Sequence, residues 1–321
     1  MSLGHIYELI LNVDGKMKLE TAIALEIGEL KRPVVTAYQL GLIIFRLYAT
    51  KTYQGIKLSC LRRELPQYND YKYIIQELMT SGVLKSSSEA AHKEIFAVLS
   101  QNIFSAGEIA CCIDPFCYVS HLSAMEYHGL TDRLPKMLFL SAPETKKWKQ
   151  LVEEKMKKDI GTSFKTYMDS DLPKLKRLRL TKIARKMISV QTSTDYNSGA
   201  YIVVQGKALR VSSIGRTFLD MIRDPDLCGG IYHVLDVYER YAGRYLRLIL
   251  DEVQQHGKHI DKVRVGYILD ERLHLSDQII ETWRAGSVQR GGSRKLSAKD
   301  PYMPVFSEKW DLSINIDEAT E

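Results

Sequence analysis

The stretch from Pro33 to Leu99 constrains the fold most, because helix starts, helix stops and a strand pair follow one another there in a fixed order. Thr36 and Gln39 have the spacing of a capping box, in which the threonine oxygen accepts from a free amide at the helix start and the glutamine reaches back. Leu40, Ile43, Ile44, Leu47 and Tyr48 then recur at i, i+3, i+4, i+7 and i+8, the stripe of one buried helix face. A short second helix is expected from Ser59, with Leu61 and Leu65 inward. Pro66 ends it, because the residue before a proline avoids the helical region. A third helix is expected from Asn69 as cap, with Asp70 in its first turn and Tyr71, Ile74, Ile75 and Leu78 inward; Ser81-Gly82 is its stop. Val83-Leu84 and Ile95–Leu99 read as two strands around a polar tip at Lys85–Lys93.

Helix, short helix, turn, helix, hairpin is the order of a winged helix-turn-helix, whose third helix enters the DNA major groove while the wing touches phosphates. The outward residues of that helix are Asn69, Lys72, Tyr73 and Gln76. Asn and Gln pair with adenine edges, and Lys suits guanine or phosphate. Arg62, Arg63, Lys85 and Lys93 are expected on the DNA backbone, where contacts position the protein without reading sequence. The same elements also suit a small helical module for protein contacts, since Glu64 and Glu77 dilute the basic face.

A chain of 321 residues predicts two domains or three. With 45% hydrophobic and 26% charged residues it is expected to bury a core rather than stay disordered. Its longest strongly apolar run, Leu40–Phe45, is far short of the ~20 residues of a membrane helix, and without a basic-then-apolar opening the chain is not expected to be exported. Five cysteines without paired spacing argue against a disulfide framework and for a reducing cytoplasm.

The net charge of +6, from 45 basic and 39 acidic residues, is mild. Its distribution is uneven: residues 151–200 carry 11 basic and 6 acidic groups, and the last 21 carry 1 and 5. Pro173–Lys186 holds seven basic residues and no acidic one: Lys174, Lys176, Arg177, Arg179, Lys182, Arg185 and Lys186, interleaved with Leu175, Leu178, Leu180 and Ile183. This reads either as a strip for nucleic acid, RNA included, or an acidic protein, or as a strand and loop with one solvated face.

Elsewhere the chemistry is sparse. Ser105 with Glu108 is a second capping box, opening a helix with Ile109, Cys112 and Ile113 inward. Cys111, Cys112 and Cys117 lack the second pair of ligands a zinc site needs, and read as buried thiols. His121 has no nucleophile or acid at a recognisable spacing and reads as structural. Ser120 caps a helix that stops at Gly129, with Leu122, Met125 and Tyr127 inward; Lys136–Ser141 reads as a strand and Trp148–Lys158 as a charged helix. Tyr201–Gln205 and Ala208–Val211 form a hairpin. A helix capped at Ser212-Ser213 follows, with Arg216 and Asp220 as a surface pair, then helices at about 231–241, 244–256, 260–270 and 276–285. Asp220, Asp224 and Asp226, flanking a helix end, are the one dense acidic group a nuclease would use. Arg290-Gly-Gly-Ser-Arg-Lys295 lacks the Lys-Ser/Thr ending of a phosphate loop.

Tyr118-Val-Ser-His-Leu-Ser-Ala-Met-Glu-Tyr-His-Gly-Leu-Thr131 resembles the S-x-x-S-A-L/M-x-x-x-G-L-T stretch of AbiEi-type antitoxins, from the bacterial abortive-infection toxin–antitoxin systems. Leu209–Asp220, Arg223–Ile231, Val265–Leu269 and Trp310–Asn315 are similar to that family too, so that the resemblance covers residues 115–316. It implies an antitoxin that represses its own operon by binding inverted repeats of operator DNA through an N-terminal winged helix. It further implies that the C-terminal domain counters a nucleotidyltransferase-like toxin, without a tight complex being required. No enzyme activity and no cofactor are implied. The expected fold class is α+β, mostly helical. The expected division is a helical extension at 1–32, a winged helix at 33–102 and a mixed α/β antitoxin domain at 103–321. Residues 1–32 depart from the family pattern.

Overall fold

The computed structural model describes residues 15–59, 61, 63–87, 92–99, 104–193, 196–197, 199–287 and 294–316. The fold is α+β and mostly helical. Its first unit runs β1 (Met17–Lys18), α1 (Leu19–Glu29), β2 (Val34–Thr36), α2 (Ala37–Thr50), β3 (Thr52–Tyr53), β4 (Ile56–Ser59), α3 (Tyr68–Thr80), β5 (Leu84–Ser86) and β6 (Ile95–Val98). The capping box at Thr36 forms: the Gln39 amide donates to Thr36 Oγ1 at 3.3 Å, and the Thr36 amide to Gln39 Oε1 at 2.8 Å. All five expected stripe residues of α2 are buried.

The short helix expected from Ser59 does not form among the described residues. In its place Gln54 and Gly55, with φ of 48° and 83°, make a two-residue turn of the type that joins hairpin strands. They join β3 to β4, and β4 extends through Ser59, whose hydroxyl donates to the Met17 carbonyl. The third helix starts two residues earlier than expected, with Gln67 at the cap. The Gln67 amide donates to the Asp70 carboxylate at 2.9 Å, leaving Asn69 inside the first turn. β2 is the outer partner in a three-stranded antiparallel sheet ordered β2-β6-β5.

The boundary expected at residue 32 is not a packing boundary. Met17, Leu19, Ile23 and Ile27 share one hydrophobic cluster with Leu40, Ile44, Ile74 and Leu78. Nor does that cluster stop at residue 102. Met156, Tyr167, Leu172 and Leu175, from the later α6 (Thr145–Ile160), α7 (Phe164–Asp169) and the segment after it, complete it. Tyr167 is fully buried edge-on to Phe45, with ring centroids 5.1 Å apart. A Cβ at Gly41 would stand 2.8 Å from its hydroxyl, so the bare backbone of α2 is what lets α7 approach.

The middle of the chain builds a mixed sheet of six strands in the order β11-β12-β7-β8-β10-β9. These are β7 (Tyr118–Val119), β8 (Met137–Pro143), β9 (Lys182–Ile183), β10 (Lys186–Ser193), β11 (Tyr201–Val203) and β12 (Arg210–Ser212). β8 and β10 run parallel from Met137↔Met187 to Pro143↔Ser193, with α6 and α7 as the crossover. α4 (Ala106–Ile113) and α5 (His121–Tyr127) pack against this sheet. Cys111, Cys112 and Cys117 are buried free thiols in its core, as small apolar side chains would be. Tyr127, expected inward, is exposed, because α5 ends there and Gly129 turns the chain at φ 66°.

The last unit is helical: α8 (Ile214–Arg223), α9 (Ile231–His256), α10 (His259–Tyr267) with a π turn at Ile268–Arg272, and α11 (Gln278–Ser287). A small hairpin of β13 (Phe306–Ser307) and β14 (Leu312–Ser313) closes it. The two helices expected at 231–241 and 244–256 are one helix of 26 residues. Gly243 costs about 1 kcal/mol in a helix, but Val237, Tyr238, Ile249 and Leu250 on either side are buried in one core, and that packing outweighs it. Arg216 and Asp220, expected on the surface, are 5% and 3% exposed and bonded Nε to Oδ1 at 2.7 Å.

Candidate nucleic-acid interface

α3 is two-faced. Tyr71, Ile74, Ile75 and Leu78 point into the first cluster, and Asn69, Lys72, Tyr73 and Gln76 lie on the exposed side. Lys72 Nζ lies 4.6 Å from the centre of the Tyr68 ring, a cation–π contact that keeps the ammonium on this face. Tyr73 turns towards the start of α1, where it lines a cavity with Lys18, Glu20 and Glu77. The free face of α3 is therefore narrower than the helix period alone predicts. Arg63 is exposed and bonded to Gln67, with Asp70 at 3.9 Å, so it braces the start of α3. Arg62 lies outside the described residues. Lys85 and Lys93 are exposed on the two strands' approach to the hairpin tip, whose residues 88–91 also lie outside the described residues.

The structure sorts the seven basic residues of 174–186 into two sets. Lys174 Nζ donates to the carbonyls of Tyr167 and Ser170, at 2.7 and 2.5 Å, so it closes the end of α7; burial holds its pKa below the usual lysine range. Lys176 pairs with Glu94 at 2.5 Å, beside the start of β6. This pair ties the strip to the base of the hairpin of the first unit, a proximity that residue spacing does not reveal. Arg179, Lys182, Arg185 and Lys186 are exposed, and Arg177 is half-buried. β9 is the edge strand of the large sheet, so part of this charge also guards an open edge.

His121 has partners that the sequence does not bring together. Ser141 donates to Ser120 Oγ at 2.8 Å, Ser120 Oγ lies 2.8 Å from His121 Nδ1, and Asp224 Oδ2 lies 3.7 Å from His121 Nε2. The imidazole holds the Asp224 carboxyl below the usual range. The adjacent Ser120-His121 pair was visible in the chain, but Asp224 arrives from the end of α8. Ser120 has no exposed surface, so this is a buried polar relay and not a presented nucleophile. His121 itself sits at φ 50°, a strained position for histidine. The three aspartates of the acidic group separate: Asp220 pairs with Arg216, Asp224 faces His121 and Asp226 pairs with Lys299. Among the described residues no three His, Cys, Asp or Glu side chains are grouped as a metal would need.

Arg210 is spent on structure. Its Nε and Nη2 donate to the carbonyls of Cys117, Cys111 and Asp114 at 2.6–2.9 Å, capping the negative end of α4. A hydrogen bond with Cys117, working against burial, draws the Cys111 thiol down to about 7, and the same bond raises Cys117.

No family model and no curated protein matches this chain. Among solved structures it is similar to the RV2827C protein from Mycobacterium tuberculosis, at 13% identity over 92% of this chain and 90% of that one, with a TM-score of 0.44. No helix among the described residues is long and apolar enough to cross a membrane.

Proposed function

We propose that this chain is a DNA-binding antitoxin that represses its own operon. The observation that carries the reading is the order and pairing of the first unit: helix α1, strand β2, helices α2 and α3, then β5 and β6, with β2 as the third strand of their sheet. That is the plan of a winged helix with a hairpin inserted between its second and third helices. The frame moves by one helix relative to the sequence reading, since α1 takes the first place, but α3 remains the groove-entering helix. In this reading Asn69, Lys72 and Gln76 face base edges, and Arg63, Lys85 and Lys93 face phosphates.

The toxin-directed part of the proposal rests on the resemblance of residues 115–316 and on the exposed charge of Arg179, Lys182, Arg185 and Lys186. In this reading the chain acts by binding and not by turnover. Because Lys176 joins the strip to the hairpin base, the strip also stands next to the DNA-binding unit and could extend its phosphate contacts.

A gel-shift titration on the chain's own upstream DNA tests the first part. Lys72→Ala and Gln76→Ala should each weaken specific binding by about 1–3 kcal/mol while leaving non-specific binding nearly unchanged. Absence of salt-sensitive, sequence-preferring binding at micromolar protein overturns it. Charge reversal at Arg179, Lys182 and Arg185 tests the strip: intact toxin neutralisation by that variant removes it from the antitoxin surface.

A further inference from the structure

A cleft lies where the first unit, α4, α6 and the β11–β12 hairpin meet. It consists of two cavities of about 430 and 310 Å³ that share Arg32, Gln39, Cys112, Pro115 and Lys155 in their walls. Each is within the size range of small-molecule sites.

Among the described residues the smaller cavity is lined by four cations, Arg32, Lys155, Lys207 and Arg210, and by no carboxylate. Each comes from a different place in the chain: the turn before β2, α6, the tip of the β11–β12 hairpin and β12. Like charges gather at a cost unless an anion joins them. Two of the four have local work, Arg210 on the end of α4 and Lys155 beside Asp159 at 3.0 Å. Arg210 still has its Nη1 without a bond among the described residues, and the side chains of Arg32 and Lys207 make no hydrogen bond or ion pair among them.

The larger cavity is different in character. Leu30, Leu42, Ile43, Ile113 and Ile160 make its walls mainly apolar. Its carboxylates are Glu26, which pairs with Arg46, and Asp159, which is held by Tyr38 at 3.1 Å and by Lys155. Glu26 keeps one buried oxygen, Oε2, without a hydrogen-bond partner among the described residues.

We infer that this cleft binds a phosphate monoester with an apolar, nucleotide-sized body, its phosphate among Arg32, Lys155, Lys207 and Arg210 and its body in the apolar chamber. Guanidinium and ammonium groups lining one cavity are the chemistry that selects phosphate. The chamber beside them gives the body somewhere to lose water. The site is separate from α3, and its binding does not depend on the chain being a repressor.

Calorimetric titration of the full-length chain with inorganic phosphate, phenyl phosphate and phenol, without DNA, tests the inference. Phenyl phosphate should bind about tenfold or more tighter than inorganic phosphate, and phenol alone should not bind measurably. Arg32→Ala/Lys207→Ala, two side chains without structural bonds, should weaken phenyl phosphate about tenfold or more with an unchanged circular dichroism spectrum. Leu42→Gln should weaken phenyl phosphate and leave inorganic phosphate as it was. No binding of phenyl phosphate to the parent chain at 10 mM, taken as roughly the weakest affinity worth the name, overturns the inference. Equal binding by the parent and by Arg32→Ala/Lys207→Ala overturns it as well.

Discussion

Removing one partner of the Arg216–Asp220 pair should be among the most damaging single changes in the chain. Both side chains are under a tenth exposed, and their Nε–Oδ1 bond is 2.7 Å long. Asp220→Ala leaves a guanidinium in the interior without its counter-charge, which costs about 3–5 kcal/mol. The same pair on a solvated helix face would be worth only a few tenths. Replacing both, as Arg216→Met/Asp220→Leu, removes the charges together, and burial of apolar groups then offsets the lost attraction. The double variant should therefore lie within about 1 kcal/mol of the parent or above it. Urea unfolding followed by tryptophan fluorescence measures this. The three tryptophans are Trp148, Trp283 and Trp310. A Trp148→Phe background leaves the two that sit in the same cluster as Phe218 and Leu219 of α8. With a urea slope near 3 kcal/mol per molar, Asp220→Ala should lower the midpoint by roughly 1–2 M at unchanged slope. A shift corresponding to less than about 0.5 kcal/mol, or a double variant as unstable as the single, would refute the argument that burial sets the value of this pair.

Three further outcomes follow from other charged side chains. Burial raises the Glu252 pKa above its ordinary value of 4.5, and its Oε1 is buried without a hydrogen-bond partner among the described residues. A raised carboxyl pKa favours the folded state fully below 4.5, and that advantage is lost as pH rises through the folded pKa. Glu252→Gln should accordingly be neutral at acid pH and should gain stability relative to the parent at neutral pH, as read by paired unfolding curves. Lys174→Met should cost about 1–3 kcal/mol, since two carbonyls at the end of α7 lose a charged donor. Lys182→Ala, on an exposed edge, should stay within about 0.5 kcal/mol by the same assay.

Local chemistry was legible wherever a residue's neighbours in sequence are also its partners in space. The capping boxes at Thr36 and Ser105 formed because each needs only four consecutive residues of chain. The inward faces of α2 and α3 were readable because helix period alone selects them. The segment from Ser59 to Pro66 departs from its local pattern for a specific reason. Leu61, Leu65 and Pro66 mimic a helix and its stop, while the Gln54-Gly55 turn that makes a hairpin carries only one glycine as its signal. Strand β4 gained its length from pairing with β1, some forty residues away, which no local pattern announces.

The basic residues show the division most clearly. The run at 174–186 is plain in the chain, yet Lys174, Lys176 and Arg179 read identically there. Only the fold spends the first on α7, ties the second to Glu94 and leaves the third in water. Likewise Arg216 and Asp220 are obviously four residues apart, but whether that pair is worth tenths or several kcal/mol depends on what α9 places over it. The cleft among Arg32, Lys155, Lys207 and Arg210 has no counterpart in the sequence at all. By itself the chain determined its helices, their caps and their apolar faces, because these follow from interactions across one or two turns. Tertiary structure decided which charges are buried, paired or free, because the strength of a charge is set by the solvent it loses and the partner it meets, and both come from distant segments.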